Sequence, residues 1–300
     1  MKVSELLRNI AQRFARAGLH YGHGTQSARE EAAWLVSSAL GPPLKLENKI
    51  SLEDKTRIET LARRRIREGI PLAYLLHEAW LGEHAFYVDR RATVPRSFIA
   101  ELLRERFRPW LVREPKRALD LCTGSGCLAV LVALIFSKAR VDATDISSNA
   151  LEVAKINIKK YRLEKRVRVL RSNLFHSLQG TYDLIVCNPP YVTARSMRKL
   201  PREYRREPAL GLSGGEDGLD VVRKILSRSR KHLAPGGLLV CEIGGNRRAL
   251  ERAYPELEFT WPETSEGAGC IFIVARAQLA HAARTAGAPR TRPRRARAPR

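Results

Sequence analysis

From residue 117 onward the chain alternates between short apolar runs rich in β-branched residues and stretches with helical spacing. The apolar runs fall at 118–121, 141–144, 167–170, 184–187 and 238–243. Helical patterns separate the first three, and another spans about 218 to 232 before the fifth. Repeated βα units of this kind predict a doubly wound, mostly parallel sheet with helices on both faces. Two more β-rich runs, Phe259-Thr260-Trp261 and Ile271-Phe272-Ile273-Val274, bring the expected strands to seven. Open α/β sheets bind ligands outside the carboxyl ends of their strands. The residues that follow each run are therefore the first place to look for chemistry.

The first run leads through Asp120 and Leu121 into Cys122-Thr123-Gly124-Ser125-Gly126, with a helix expected from Cys127. Glycines here allow a tight turn and close backbone approach to a ligand at a helix N-terminus. Gly124-x-Gly126-x-x-Ala129 also satisfies a dinucleotide fingerprint, so the loop alone leaves both cofactor classes open. Asp145 ends the second run, nineteen residues after Gly126, where a carboxylate accepts hydrogen bonds from a ribose diol. Asp120 lies within the first run. A buried carboxylate is costly unless it serves backbone N–H groups or a cationic ligand. It disfavours a pyrophosphate, whereas the amino-acid portion and sulfonium of S-adenosylmethionine tolerate it; the alternative is that Asp120 only caps the loop. Asn173, after the third run, is placed to contact adenine through its amide.

The fourth run ends in Asn188-Pro189-Pro190-Tyr191. Proline lacks an N–H and fixes φ, so the strand cannot continue pairing, and the residue before it is held extended. The resulting stiff turn shows an amide, free carbonyls and an aromatic face. That set can hold a planar NH₂ group between two acceptors with a ring on its plane; a plain Pro-rich turn is the competing reading. Glu242, ending the fifth run, either lines the pocket or bonds nearby backbone. The loop Ser213-Gly214-Gly215-Glu216-Asp217-Gly218 is either a lid or a helix-start turn.

Ahead of this region, Val3, Leu6, Leu7, Ile10 and Phe14 recur at helical spacing. Ser27-x-x-Glu30 and Ser51-x-x-Asp54 have helix-start spacing, and Gly41-Pro42-Pro43 stops the second helix. The third helix carries Lys55, Arg57, Arg63, Arg64, Arg65 and Arg67, expected on a solvated face. Residues 1–76 thus read as a small helical domain for substrate recognition, 77–96 as a β-hairpin linker turning at Gly82-Glu83-His84, and 97–278 as the α/β domain. His20 and His23, three apart, are expected to serve structure rather than metal.

The formal charge is +23, with 54 Lys+Arg against 31 Asp+Glu, which points to an anionic partner, nucleic acid or an RNA-rich particle ahead of a membrane. Seven arginines, three prolines and no acid in 281–300 predict a disordered tail over 279–300. The remainder is still +16. Five cysteines (122, 127, 187, 241, 270) sit in or beside apolar runs without a CxxC pair, as expected of reduced thiols in a cytoplasmic protein, with no metal site. Residues 128–136, the longest apolar stretch, are too few to span a bilayer, and no signal-peptide core is evident.

Asp120 through Gly126, Asp145 and Asn188 through Tyr191 together resemble the seven-stranded Rossmann-like class I S-adenosylmethionine methyltransferases, specifically the protein N5-glutamine methyltransferases of translation proteins. Within these the chain is most similar to the bacterial members that modify large-subunit ribosomal protein three. Tyr21-Gly22-His23-Gly24-Thr25, Phe86-Tyr87-Val88-Asp89, Val94-Pro95-Arg96-Ser97 and Glu203-Tyr204-Arg205-Arg206-Glu207-Pro208 carry that closer likeness, over roughly 1–278. The resemblance implies cofactor contacts from Asp120, Cys122, Thr123, Gly124, Ser125, Gly126, Asp145, Asn173, Leu174 and Asn188. It implies a catalytic role for Asn188, Pro189 and Tyr191, with Pro190 joining them against the substrate. The family usually shows aspartate where this chain has Asn173; an amide still accepts from the adenine amino group, so the departure implies weaker cofactor binding at most.

The reaction implied is transfer of a methyl group to a glutamine side-chain nitrogen, with Asn188 Oδ1 and the Pro189 carbonyl accepting its hydrogens. Since a ribosomal protein is itself basic, the charge of this chain implies contact with rRNA in an assembly particle, through the basic surface and the tail. Three readings compete with this one: methylation of peptide release factors, adenine-N6 methylation of nucleic acid, and a non-catalytic RNA-binding assembly factor. The second suits an NH₂ clamp equally well, but no segment is large enough for a base-reading domain.

Overall fold

In the computed structural model, which describes residues 1–265 and 267–280, the apolar stripe Val3, Leu6, Ile10 and Phe14 forms the buried face of α1 (Val3–Arg16). The expected tail lies outside the described residues from 281 onward. Ser27 and Ser51 cap α2 (Ala28–Leu40) and α3 (Leu52–Glu68) by accepting from the Glu30 and Asp54 N–H groups, supplying orphan donors of the first turn. With α4 (Leu72–Leu76), these helices close over Leu35, Ile58, Ala62 and Leu72, all nearly inaccessible. Each large apolar side chain so buried contributes about 1.5–3 kcal/mol.

One member of the expected solvated face departs from it. Arg65 is only 1% exposed, bonding Glu31 Oε1 at 2.5 Å, Glu203 Oε1 at 3.0 Å and the His20 carbonyl at 3.0 Å. It lies on the same helical face as Ile58 and Ala62, seven and three residues earlier, so geometry buries it and two carboxylates neutralise it.

Strands β1 (Ala79–Leu81) and β2 (His84–Phe86) pair antiparallel around Gly82-Glu83, where Gly82 has φ +60°. His84, expected in the turn, opens β2. Helix α5 (Ile99–Arg104) follows. The alternating part then runs β3 (Arg117–Leu121), α6 (Cys127–Ile135), β4 (Arg140–Asp145), α7 (Ser148–Lys160), β5 (Val167–Arg171), β6 (Tyr182–Cys187), α8 (Ala194–Met197), α9 (Asp220–His232), β7 (Leu233–Glu242) and α10 (Arg247–Ala253). A two-residue hairpin pair, β8 (Glu263–Thr264) and β9 (Gly267–Ala268), precedes β10 (Ile271–Ala275).

The main sheet has the order β10-β7-β6-β3-β4-β5, parallel except for β10. Chain direction across the sheet reverses between β3 and β6, so their carboxyl ends flank a topological switch point, where ligands of open sheets bind. Successive β3 residues alternate between two cores: Ala118 faces the one containing α6, and Leu119 and Leu121 face the other. Asp120 therefore points toward α6.

The sheet has six strands, not seven. Phe259-Thr260-Trp261 contributes only one bridge, with Thr260 and Ile273 exchanging hydrogen bonds of 3.0 and 2.8 Å. The next pairing position on one side would fall at Pro262, which has no N–H to give. On the other side the Gln278 amide intervenes, accepting from Ala275 N at 2.7 Å and donating to the Glu258 carbonyl at 2.9 Å. No helix among the described residues is long and apolar enough to cross a membrane.

Candidate active site

The loop after β3 is shaped by backbone that few side chains tolerate. Cys122, Gly124 and Gly126 all have left-handed φ, at +60°, +55° and +80°. A Cβ on Gly126 would lie 2.9 Å from Ala154 Cβ, so the loop packs directly on α7. Gly124 has only Thr93 Oγ1 near, at 3.9 Å, and fronts open space. Buried Asn157 on α7 ties the loop to the hairpin region, donating to the carbonyls of Ser125 at 2.8 Å and Tyr87 at 2.9 Å while accepting from Tyr87 N at 2.7 Å. Sequence reading passed over Asn157, which lies within a helical pattern with no local sign of its distant partners.

Asp120 is 1% exposed; its Oδ2 accepts from Thr123 Oγ1 and from Ala129 N at 2.9 Å, and its Oδ1 has no partner. Burial pushes its pKa up to about 7 against those two donors. Asp145 spends Oδ2 on Gly124 N (3.0 Å) and Oδ1 on Ser147 N (2.9 Å), clasping the loop to the start of α7. Burial raises its pKa, and the backbone donors oppose that.

Two cavities meet over these carboxyl ends. The smaller, about 300 Å³, is lined by Cys122, Gly124, Asp145, Asn173, Leu174, Asn188 and Pro190, with Ala92, Ile146 and Ser147 among the further walls. The larger, about 750 Å³, is a groove lined by Thr123, Ser125, Asn188, Pro189 and Tyr191, with Arg96, Tyr204 and Glu242. Thr93, Cys122, Gly124, Asn188 and Gly211 line both. Of the residues expected at the cofactor, Thr123 and Ser125 thus face the groove, while Asp120 and Gly126 lie beneath the loop and line neither space. Pro190, expected with the substrate group, faces the smaller cavity, because neighbouring residues of an extended segment point to opposite sides.

Asn188 Nδ2 donates to the Arg96 carbonyl at 2.7 Å, which fixes the amide so that its oxygen is the end turned elsewhere. Tyr191 donates to Glu242 Oε1 at 3.2 Å, and its carbonyl accepts from Asn246 Nδ2 at 2.9 Å. Glycines press on it from behind: a Cβ would lie 2.7 Å from Tyr191 Cα at Gly214, 2.4 Å from its carbonyl oxygen at Gly218, and 2.8 Å from its ring at Gly244. The 213–218 loop therefore buttresses the aromatic turn and leads into α9. It lines neither cavity. Glu242 does both things expected of it, lining the groove while its Oε2 accepts from Ser97 Oγ (2.7 Å) and Phe98 N (3.0 Å). Burial lifts its pKa to about 7 in spite of these donors.

Arg96, another residue that sequence reading gave no site role, is held from both ends. Its Nη2 reaches both Glu207 oxygens at 2.8 and 3.0 Å, and its guanidinium lies 5.0 Å from the Tyr204 ring centroid. Fully buried Glu207 also accepts from Val94 N and pairs with His23 Nε2, both at 2.9 Å. Burial works to raise the Glu207 pKa, but His23, Arg96 and Val94 N–H outweigh it and hold it below the usual value. Burial lowers the pKa of His23, with Glu207 offsetting part of the effect. Among the described residues no cluster suited to a metal ion occurs.

The architecture is that of a class I Rossmann-like methyltransferase. The family model described as Methyltransferase small domain matches residues 98–201. The hMettl16 catalytic domain in complex with MAT2A 3'UTR hairpin 6 has the same fold, with a TM-score of 0.53 at 17% identity over 81% of this chain and 91% of that one. Curated relatives match almost throughout. Ribosomal protein uL3 glutamine methyltransferases are 51% identical in Neisseria meningitidis serogroup A, covering 92% of this chain and 94% of the relative, and 48% identical in Bordetella pertussis, covering 92% and 95%. The chain belongs to the ribosomal protein uL3 glutamine methyltransferase family.

Proposed function

We propose that this chain methylates a glutamine side-chain nitrogen of ribosomal protein uL3, in the cytoplasm, with S-adenosylmethionine as donor. The observation that carries this reading is Asn188, anchored through its amide nitrogen at the junction of the two cavities. The smaller cavity suits the donor: Asp120 keeps an unpartnered buried oxygen under the loop, Gly124 leaves room at its wall, and Asp145 stands at its edge. Asp145 would hold the ribose diol, Asn173 and Leu174 the adenine, and the loop from Cys122 to Gly126 the amino-acid portion. When bound, the donor supplies an electrophilic methyl group on a sulfonium.

An amide nitrogen is a poor nucleophile because its lone pair is delocalised into the carbonyl. Asn188 Oδ1 and the Pro189 carbonyl would accept its two hydrogens and aim the nitrogen toward the smaller cavity. Tyr191, braced by its glycines and by Glu242, would pack on the amide plane. Rate enhancement on this reading comes from orientation in a water-poor site. The partner surface is proposed to include rRNA, reached through the basic exterior and through the 281–300 tail.

The test is incubation with methyl-labelled donor and ribosomal material from a methylation-deficient strain, followed by protease or nuclease digestion. Label in a glutamine-containing uL3 peptide is the expected result. Label released as a nucleotide assigns the clamp to adenine, and absence of label removes the enzymatic reading.

A further inference from the structure

We propose that the segment immediately after the aromatic turn, over residues 195–206, is a docking strip for an RNA phosphate backbone. This deepens the reading above and rests on it for the identity of the particle that carries uL3. Arg195, Arg198, Lys199, Arg202, Arg205 and Arg206 are all exposed, six cations within twelve residues. The acids between 193 and 210 are Glu203 and Glu207, and both point inward. Glu203 is consumed by Arg65, and Glu207 by His23 and Arg96. Sequence shows a mixed-charge segment, whereas the fold presents a positive one.

The strip is extended by its neighbours. Arg202 donates to the carbonyls of Ile66 and Arg67, at 2.8 and 3.0 Å, and Arg206 to that of Glu68 at 2.6 Å, which seats the strip on the end of α3. Exposed Arg63, Arg64 and Arg67 stand there, with Glu68 the acid paired among them. Arg195, Arg198 and Lys199 form no ion pair or hydrogen bond through their side chains among the described residues. Leu200 and Tyr204, between these cations, line the groove that holds Asn188 and Tyr191. A polyanion on the strip would therefore lie at the mouth of the proposed acceptor site. An exposed line of unpaired cations beside a site proposed to take a basic ribosomal protein favours the RNA to which that protein is bound over the protein itself.

The experiment compares the full chain with a triple variant, Arg195→Gln, Arg198→Gln and Lys199→Gln. A control carries Lys138→Gln, Arg140→Gln and Lys165→Gln, three exposed cations elsewhere on the surface. Binding of a fluorescent single-stranded RNA is titrated across salt, and methyl transfer to free uL3 and to an rRNA-bearing precursor particle is measured alongside. The slope of log affinity against log salt should shrink by about 2 in the triple variant, since each lost phosphate contact removes about 0.7. It should stay at its original value in the control, and KM for the particle should rise in the triple variant with transfer to free uL3 unchanged. An unchanged slope in the triple variant, or an equal loss in the control, overturns the proposal. So does loss of transfer to free uL3 with RNA binding intact, which would assign the strip to the protein substrate. If the full chain methylates neither uL3 nor the particle, the functional reading fails on its own, because the RNA slope is read without any methyl acceptor.

Discussion

The backbone carbonyl of Arg96 accepts a hydrogen bond from Asn188 Nδ2, and the Arg96 guanidinium is gripped by Glu207, which in turn pairs with His23 from the helical region. The amide at the centre of the proposed acceptor site is thus oriented by a residue fastened to a distant part of the chain. Its oxygen stays available because its nitrogen is spoken for.

Asn188→Ala should remove methyl transfer while sparing donor binding. Losing one acceptor and the amide anchor leaves the substrate nitrogen poorly aimed, and misplacement of about 1 Å costs on the order of 100-fold. Single-turnover rates should fall at least that far, with donor affinity by calorimetry within about threefold, a spread of under 1 kcal/mol. Full activity in this variant would end the assignment.

Gly244→Ala should act through Tyr191 alone. The new Cβ would sit 2.8 Å from the ring at a residue with φ +53°, so the backbone strains and the ring must shift. The expected signature is a fall in kcat of roughly 10- to 100-fold with donor affinity retained. An unshifted ring in a crystal structure together with normal kcat would contradict it.

Arg65→Met should cost about 3–5 kcal/mol, the usual penalty for stripping the partner from buried charges, here Glu31 and Glu203. Urea denaturation measures it directly. A loss below about 1 kcal/mol, typical of exposed pairs, would show that the triad is better hydrated than its burial indicates.

Glu242 makes stability depend on pH in a defined sense. Its folded pKa, about 7, lies above the ordinary 4.5, so between these values the native state binds more protons than the unfolded one. Its stabilising contribution is present at low pH and lost as pH rises toward 7, at up to about 1.4 kcal/mol per pH unit. The stability of the wild-type chain relative to Glu242→Gln should therefore drop between pH 5 and 7, by about 2 kcal/mol, and level off above pH 8. A flat difference across that range would mean the carboxyl titrates normally.

The βα alternation, the helix caps at Ser27 and Ser51, Asp120 within the first strand, the strand end at Asp145 and the turn opening at Asn188 were legible because each rests on local chemistry: period, capping spacing, the missing proline N–H. The seventh strand was misread because Phe259-Thr260-Trp261 has full β propensity. Its pairing is cut off by Pro262 and by the side chain of Gln278, twenty residues beyond Glu258. The 213–218 loop, left open in sequence between a lid and a helix-start turn, leads into α9 and braces Tyr191, a contact between separate segments that local sequence does not carry.

The sequence alone thus determined the sheet class, the two loops at the strand ends that line the cavities and the resemblance that names the chemistry. Only tertiary structure decided where the charges point. Arg65, Glu203 and Glu207 are as polar in sequence as their exposed neighbours; Arg65 shares a helical face with Ile58 and Ala62, but nothing local supplies the partners that make burial of these three charges tolerable. Their partners lie up to 184 positions away, and a buried ion is tolerable only when such partners converge on it. That convergence orients Asn188, joins the helical region to the site and leaves the outward cations of 195–206 uncompensated.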